Sequence, residues 1–77
     1  MIAEHERVVL RKDIPEHGLI AGDIGTVVLV HHKGAGYEVE FMALDGETVA
    51  VVSLSSAQVR PIARHEIAHA RLVAQAA

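Results

Sequence analysis

The clearest strand in the sequence is Tyr37-Glu38-Val39-Glu40-Phe41, where apolar and acidic residues alternate. Successive side chains of a strand point to opposite faces of a sheet. Tyr37, Val39 and Phe41 are therefore predicted on the core face, and both glutamates on the opposite face. Tyr37 and Phe41 are the only aromatic residues of the chain, so Val, Leu, Ile and Ala must fill the rest of the core.

Further short strands are predicted on both sides of this one. The pair Asp45-Gly46 favours a tight hairpin turn, because glycine accepts a positive φ without steric cost. Pro61 confines the last strand to a sheet edge, since proline cannot donate to a ladder. The other predicted strands are residues 7–11, 25–31, 48–53 and 58–62. Five short strands within about 60 residues, separated by glycine turns, predict a mainly all-β fold, a small antiparallel barrel.

The C-terminal segment, residues 63–77, has a different composition. It contains six alanines and neither glycine nor proline, which favours a helix from about Arg64 to Gln75. A helix of this length is marginal alone, so it needs the barrel, a second copy or a partner to pack on. The chain is therefore predicted as one domain, with a barrel over 1–62 and a C-terminal α-helical extension over 63–77.

The size and the charge of the chain restrict the classes of function that it is predicted to have. A chain of 77 residues with 51% hydrophobic residues forms one small globular domain, with little room for a deep cleft. Its net charge of −3 disfavours nucleic acid as a partner, since phosphate binding needs positive charge. The absence of cysteine excludes disulfides and thiolate zinc sites. The sequence has neither a signal-peptide pattern nor a long apolar run. The chain is therefore predicted to be cytoplasmic and not associated with a membrane.

A family resemblance covers roughly residues 7 to 62. It rests on Asp13-Ile14-Pro15-Glu16-His17-Gly18-Leu19, Ala21-Gly22-Asp23-Ile24-Gly25-Thr26-Val27-Val28, Tyr37-Glu38-Val39-Glu40-Phe41, Asp45-Gly46-Glu47-Thr48-Val49-Ala50, Leu54-Ser55 and Gln58-Val59-Arg60-Pro61. These segments resemble a bacterial family of short, uncharacterised proteins expected to be SH3-like barrels. That family is known mainly as a domain of unknown function, and some members look like antidote or immunity-type proteins encoded beside toxin-like neighbours. The resemblance implies an SH3-like barrel and permits an antitoxin function.

A second, shorter resemblance concerns the turn Ala21-Gly22-Asp23-x-Gly25-x-Val27, which is similar to a barrel motif of ribosomal proteins and elongation factors. It implies a ribosome-like RNA-binding barrel as an alternative function. Turn chemistry alone also explains these residues, because glycine allows a sharp bend and aspartate caps it. The motif is therefore interpreted first as architecture.

The segment His65-Glu66-Ile67-Ala68-His69 matches the H-E-x-x-H pattern of zinc metallopeptidases. On a helix, His65 and His69 would point to one side and bind zinc together, while Glu66 would activate a metal-bound water. The third ligand would have to come from the barrel, and no spacing selects one. The main prediction is therefore no cofactor and no enzyme activity, with a solvent-facing helix here. Zinc binding or zinc-dependent hydrolysis is the alternative.

Other polar groups give weaker signals. His31 and His32 are predicted at a hairpin tip as solvated loop residues. Ser53, Ser55 and Ser56 lack the glycine pattern of a nucleophile elbow, so nucleophilic catalysis is not predicted.

Four carboxylates give the leading functional prediction. Glu38 and Glu40 share one strand face, and Asp45 and Glu47 follow nearby in sequence, so together they could meet a basic partner. The chain is predicted to be a non-catalytic protein-interaction module, in its most specific form an antitoxin or immunity-type protein that binds a toxin-like partner. A homo-oligomer formed through the C-terminal helix is also predicted.

Overall fold

A five-stranded antiparallel sheet forms the protein. The computed structural model describes residues 2–73, and its strands are β1 (Arg7–Leu10), β2 (Ile24–His31), β3 (Gly36–Met42), β4 (Thr48–Ser55) and β5 (Val59–Pro61). Their order in the sheet is β4-β3-β2-β1-β5, with β3 pairing β2 on one side and β4 on the other. The ladders end at β4 and at β5, so these are the two edge strands of the described sheet.

The core lies on the inner face of this sheet. Tyr37, Val39 and Phe41 of β3 are buried, as the alternation of that strand predicts. Val8 and Val27, from β1 and β2, are fully buried beside them. The other buried core residues are Ile2, Leu10, Ile14, Leu19, Leu54 and Val59.

Gly25 is the point of closest backbone packing in this core. A Cβ at this position would lie 2.5 Å from Val39 Cγ1 and 3.0 Å from the carbonyl oxygen of Glu40. Only glycine therefore allows β2 to pack at this distance beside β3.

The long connection between β1 and β2 is irregular, and contacts within it hold it together. It contains a 3-10 turn at Pro15–His17, and Ile14 and Leu19 form an isolated bridge with both side chains buried. Two further 3-10 turns lie at His32–Gly34 and at Ser56–Gln58. No helix in residues 2–73 is long and apolar enough to cross a membrane.

The predicted C-terminal helix is wrong. Residues 64–73 contain no α-helix, and residues 74–75 of the prediction lie outside the described part of the chain. His65 has a φ of 65°, in the left-handed region, which a right-handed helix cannot include. Arg60 and Asp23 instead bind the side chains of Glu66 and Arg71. The all-β class is correct, but the helical extension and the oligomer predicted through that helix lose their basis.

Candidate functional site

The four predicted carboxylates lie on the outer side of the sheet and in the hairpin at its end. Glu38 and Glu40 are half-buried residues of β3, on the face opposite to its core side chains. Asp45 and Glu47 are exposed in the connection between β3 and β4. We call these four residues the acidic surface. The alternation of β3 explains the outward position of the two glutamates on the strand. The Asp-Gly turn explains why the other two residues lie in the hairpin.

Hydrogen bonds position three carboxylates of the acidic surface, those of Glu38, Glu40 and Asp45. Thr48 Oγ1 donates to Glu40 Oε2 at 2.7 Å, across the β3–β4 ladder. The backbone N–H of Glu47 donates to Asp45 Oδ1 at 3.0 Å, an interaction typical of a turn. Both are neutral donors, so they position the carboxylates without cancelling their charge.

The acidic surface has no lysine or arginine counter-ion among residues 2–73. The ion pairs of this part of the chain are His31–Glu38, Arg60–Glu66 and Arg71–Asp23. Two of the arginines are therefore bound to carboxylates outside the acidic surface, and Arg7 lines the same depression as Glu40 without forming an ion pair with it. Only a histidine is paired with the acidic surface, so most of its negative charge is left to attract cations from outside the chain.

The side chains of His31 and Ser53 contact the carboxylate of Glu38 and form a three-residue cluster with it. His31 Nε2 lies 2.8 Å from Glu38 Oε2, and Ser53 Oγ donates to the same oxygen. The hydrogen bond from Ser53 and then that from His31 hold the pKa of Glu38 below its ordinary value. Glu38 is therefore ionised at neutral pH.

This cluster is not arranged for nucleophilic catalysis. Its two hydrogen bonds both end on Glu38 Oε2, and none is found between Ser53 and His31. A serine nucleophile needs an adjacent base that can take its proton, and a carboxylate of lowered pKa is a poor base. Sequence reasoning missed the cluster, because the three residues meet only through the pairing of β2, β3 and β4.

Two depressions open onto the outer surface. One, of about 470 Å³, is lined by residues that include His31, Glu38 and Ser53. The other, of about 330 Å³, lies near Glu40 and Leu44. Both are open to solvent, whereas small-molecule sites usually enclose most of their ligand. Their shape suits contact with a larger surface.

The H-E-x-x-H segment does not have the geometry that zinc binding on a helix requires. Arg60 Nη1 and Nη2 donate to the two carboxylate oxygens of Glu66 at 2.8 and 2.7 Å, and the N–H of Ala63 donates at 2.6 Å. The bonds from Arg60 and then Ala63 lower the pKa of Glu66 to about 2. Such a carboxylate is a poor general base near neutral pH.

The histidines of that segment are also not assembled into a site. His65 and His69 are exposed, and residues 65–69 are not helical. Within residues 2–73 no three His, Cys, Asp or Glu side chains are grouped so as to hold a metal ion. The helical premise of the zinc prediction is therefore wrong.

A second ion pair anchors the C-terminal segment. Arg71 Nε donates to Asp23 Oδ1 at 2.8 Å, Arg71 Nη2 donates to Asp23 Oδ2, and the same Nη2 donates to the carbonyl of Gly18 at 3.0 Å. Partial burial would raise the pKa of Asp23, but the bonds from Arg71 and from the N–H of Ile20 outweigh it and leave the pKa lowered. No sequence signal links these residues, which are 48 positions apart.

Comparison with known proteins identifies a family for this chain. The family described as Domain of unknown function (DUF4926) matches residues 4–61, which include all five strands and the acidic surface. No curated protein and no solved structure matches the chain.

Proposed function

The chain belongs to the family described as Domain of unknown function (DUF4926), and we propose that it is a non-catalytic module that binds a basic protein through the acidic surface. The main support for this proposal is that the acidic surface has no lysine or arginine counter-ion within residues 2–73. Two of its carboxylates lie on the outer face of β3 and two in the hairpin that follows, and within residues 2–73 no lysine or arginine forms an ion pair with any of the four. Complementary charge on a partner would steer its approach and fix its orientation.

Exposed apolar side chains near the carboxylates support protein binding. Val51, the cross-strand neighbour of Glu40, is 53% exposed, and Met42 at the end of β3 is 52% exposed. Leu44, in the hairpin beside Asp45, is 93% exposed. Protein interfaces combine an apolar centre with a polar rim, and this side of the sheet offers both.

The most specific form of the proposal makes the partner a toxin-like protein. The chain would then be an antitoxin or immunity-type protein that acts in the cytoplasm by covering a basic surface of the toxin. The family resemblance supports this form, and the acidic surface supplies the charge that such binding needs.

The proposal is tested by capturing the chain from the cells that encode it, identifying the retained protein and titrating the purified pair. The test variant is E38Q/E40Q, because glutamine keeps an oxygen that accepts the bonds from Ser53 and Thr48. The matched control is E4Q/E16Q, which removes two exposed charges outside the acidic surface.

We expect a basic partner whose affinity falls at least tenfold with E38Q/E40Q, about 1.4 kcal/mol, and much less with the control. The affinity should also fall with salt, and less steeply for E38Q/E40Q. Equal losses for both variants, or the absence of any retained protein, would overturn the proposal.

A further inference from the structure

The outer edge of β4 has backbone groups that point away from the sheet. The N–H of Ser56 donates to the carbonyl of Ala35 at 3.1 Å, and this bond continues the β3–β4 ladder. Hydrogen-bonded pairs alternate along an antiparallel ladder. Ala50, Val52 and Leu54 therefore bond to β3, while the N–H and C=O of residues 51, 53 and 55 face outward.

Within residues 2–73, two of these outward-facing residues have backbone N–H and C=O groups without a hydrogen-bond partner. The N–H of Ser55 is already bonded to Gln58 Oε1 at 2.8 Å. No backbone bond outside the strand ladders involves Val51 or Ser53. Val51 and Ser53 therefore offer two N–H donors and two C=O acceptors, in the alternate spacing that a further strand would match. We call this pair the free edge.

The free edge lacks the features that usually protect an edge strand. Natural edges are short, or they carry lysine, proline or other charged residues. Strand β5 follows this rule, since it has three residues and ends at Pro61. Strand β4 has eight residues, TVAVVSLS, with no charge and no proline. Its one register irregularity, opposite Phe41 and Met42, lies at its beginning and leaves Val51 and Ser53 regularly paired.

The negative charge beside β4 indicates which kind of strand would bind the free edge. Glu38 and Glu40 are the cross-strand neighbours of Ser53 and Val51 on the outer face. A strand added beside β4 would lie about 10 Å from β3, two strand spacings away. A flexible lysine or arginine side chain on its outer face can extend across β4 toward these carboxylates. A second copy of β4 brings no cation, and its own Glu38 and Glu40 would add a second acidic row to the same face.

We propose that the free edge of β4 binds an extended segment of a basic protein, whose backbone adds a sixth strand and whose outward side chains are lysine or arginine at alternate positions. This inference rests on the proposed function and specifies how the partner binds. Backbone hydrogen bonds supply the attachment, and the alternating cations supply the specificity, as in other cases of strand addition.

The test uses a probe peptide of eight residues in which lysine and valine alternate, with blocked ends. Amide hydrogen exchange of the full chain is followed residue by residue by NMR. We expect the exchange of Val51 and Ser53 to slow at least tenfold with the peptide. The amide exchange of Val52 and Leu54, whose N–H groups already bond to β3, should stay slow with or without the peptide. A peptide that alternates glutamate and valine is the control and should have no effect.

Three results would overturn the inference. Peptide binding that shifts the signals of Glu38 and Glu40 without protecting Val51 and Ser53 would show charge contact without strand addition, and would leave the proposed function standing. No binding of the lysine peptide would reject the free edge as a site. Protection that grows with protein concentration, without peptide, would show that a second copy occupies the edge.

Two variants separate strand addition from loss of the fold. Val51→Pro removes an N–H that faces away from β3, a position where an edge strand tolerates proline. Val51→Lys keeps that N–H but adds a cation that repels the peptide. Both should weaken binding at least tenfold, whereas Ile20→Lys, the same charge change on a side chain in the β1–β2 connection, should not. Unchanged affinity for Val51→Lys in a folded chain would contradict the inference.

Discussion

The guanidinium of Arg60 holds both carboxylate oxygens of Glu66, at 2.8 and 2.7 Å. The pair links the end of β5 to the segment that follows it. It also converts the glutamate of an H-E-x-x-H sequence from a candidate base into the anion of a salt bridge. The C-terminal segment is thus held against the sheet by side-chain bonds where its composition predicts a helix.

The titration of Glu66 tests this pair. Its pKa is lowered to about 2 in the folded chain, from an ordinary value of 4.5. Because the folded pKa is depressed, the stabilisation is present above pH 4.5 and is lost as the pH falls toward 2. Arg60→Ala should raise the pKa toward its ordinary value, measured by NMR of the side-chain carboxyl, whereas Arg64→Ala should leave it unchanged. An unchanged titration in Arg60→Ala would refute the salt bridge.

The cluster at Glu38 makes a second pH prediction. Its pKa is lowered by the hydrogen bonds from Ser53 and from His31. Ser53→Ala and His31→Ala should therefore each raise the pKa of Glu38 toward its ordinary value, in an NMR titration of both variants. A variant that leaves the titration of Glu38 unchanged would show that the residue it replaces is not a partner of this carboxylate.

The Arg71–Asp23 pair should contribute modestly to stability. Arg71→Ala is expected to lower the free energy of unfolding by about 1 kcal/mol, because the pair lies near the surface. Asp23→Ala should cost more, about 2 kcal/mol, since it also removes the acceptor of the Ile20 N–H. Urea unfolding measures both, with Arg64→Ala as an exposed control. An Asp23→Ala variant no less stable than Arg71→Ala would contradict the role of the Ile20 bond.

Gly25 should be intolerant of any side chain. Gly25→Ala is expected to destabilise the fold by about 1–3 kcal/mol, because the new Cβ overlaps Val39. Combining it with Val39→Ala should cost less than the sum of the two single changes, since the smaller side chain relieves the overlap. Strictly additive costs, measured by urea unfolding, would show that Val39 is not the obstacle.

The sequence predicted the parts of this protein that depend on local pattern. The alternation of residues 37–41 placed Glu38 and Glu40 outward and their neighbours inward. The His31–Glu38–Ser53 cluster was missed because it depends on the register of three strands, which no single segment encodes. The helix was predicted wrongly because alanine favours a helix by less than about 1 kcal/mol per residue. Arg60 and Asp23, positioned by the sheet, bind the segment in another conformation.

Native mass spectrometry of the chain, gently purified from the cells that encode it, shows whether a partner protein is bound. We expect a complex with a basic protein, lost with E38Q/E40Q and retained with E4Q/E16Q. A lone chain would contradict it. A lone chain carrying one zinc ion, lost when His65 and His69 are replaced by alanine, would contradict it and restore the metal-site alternative.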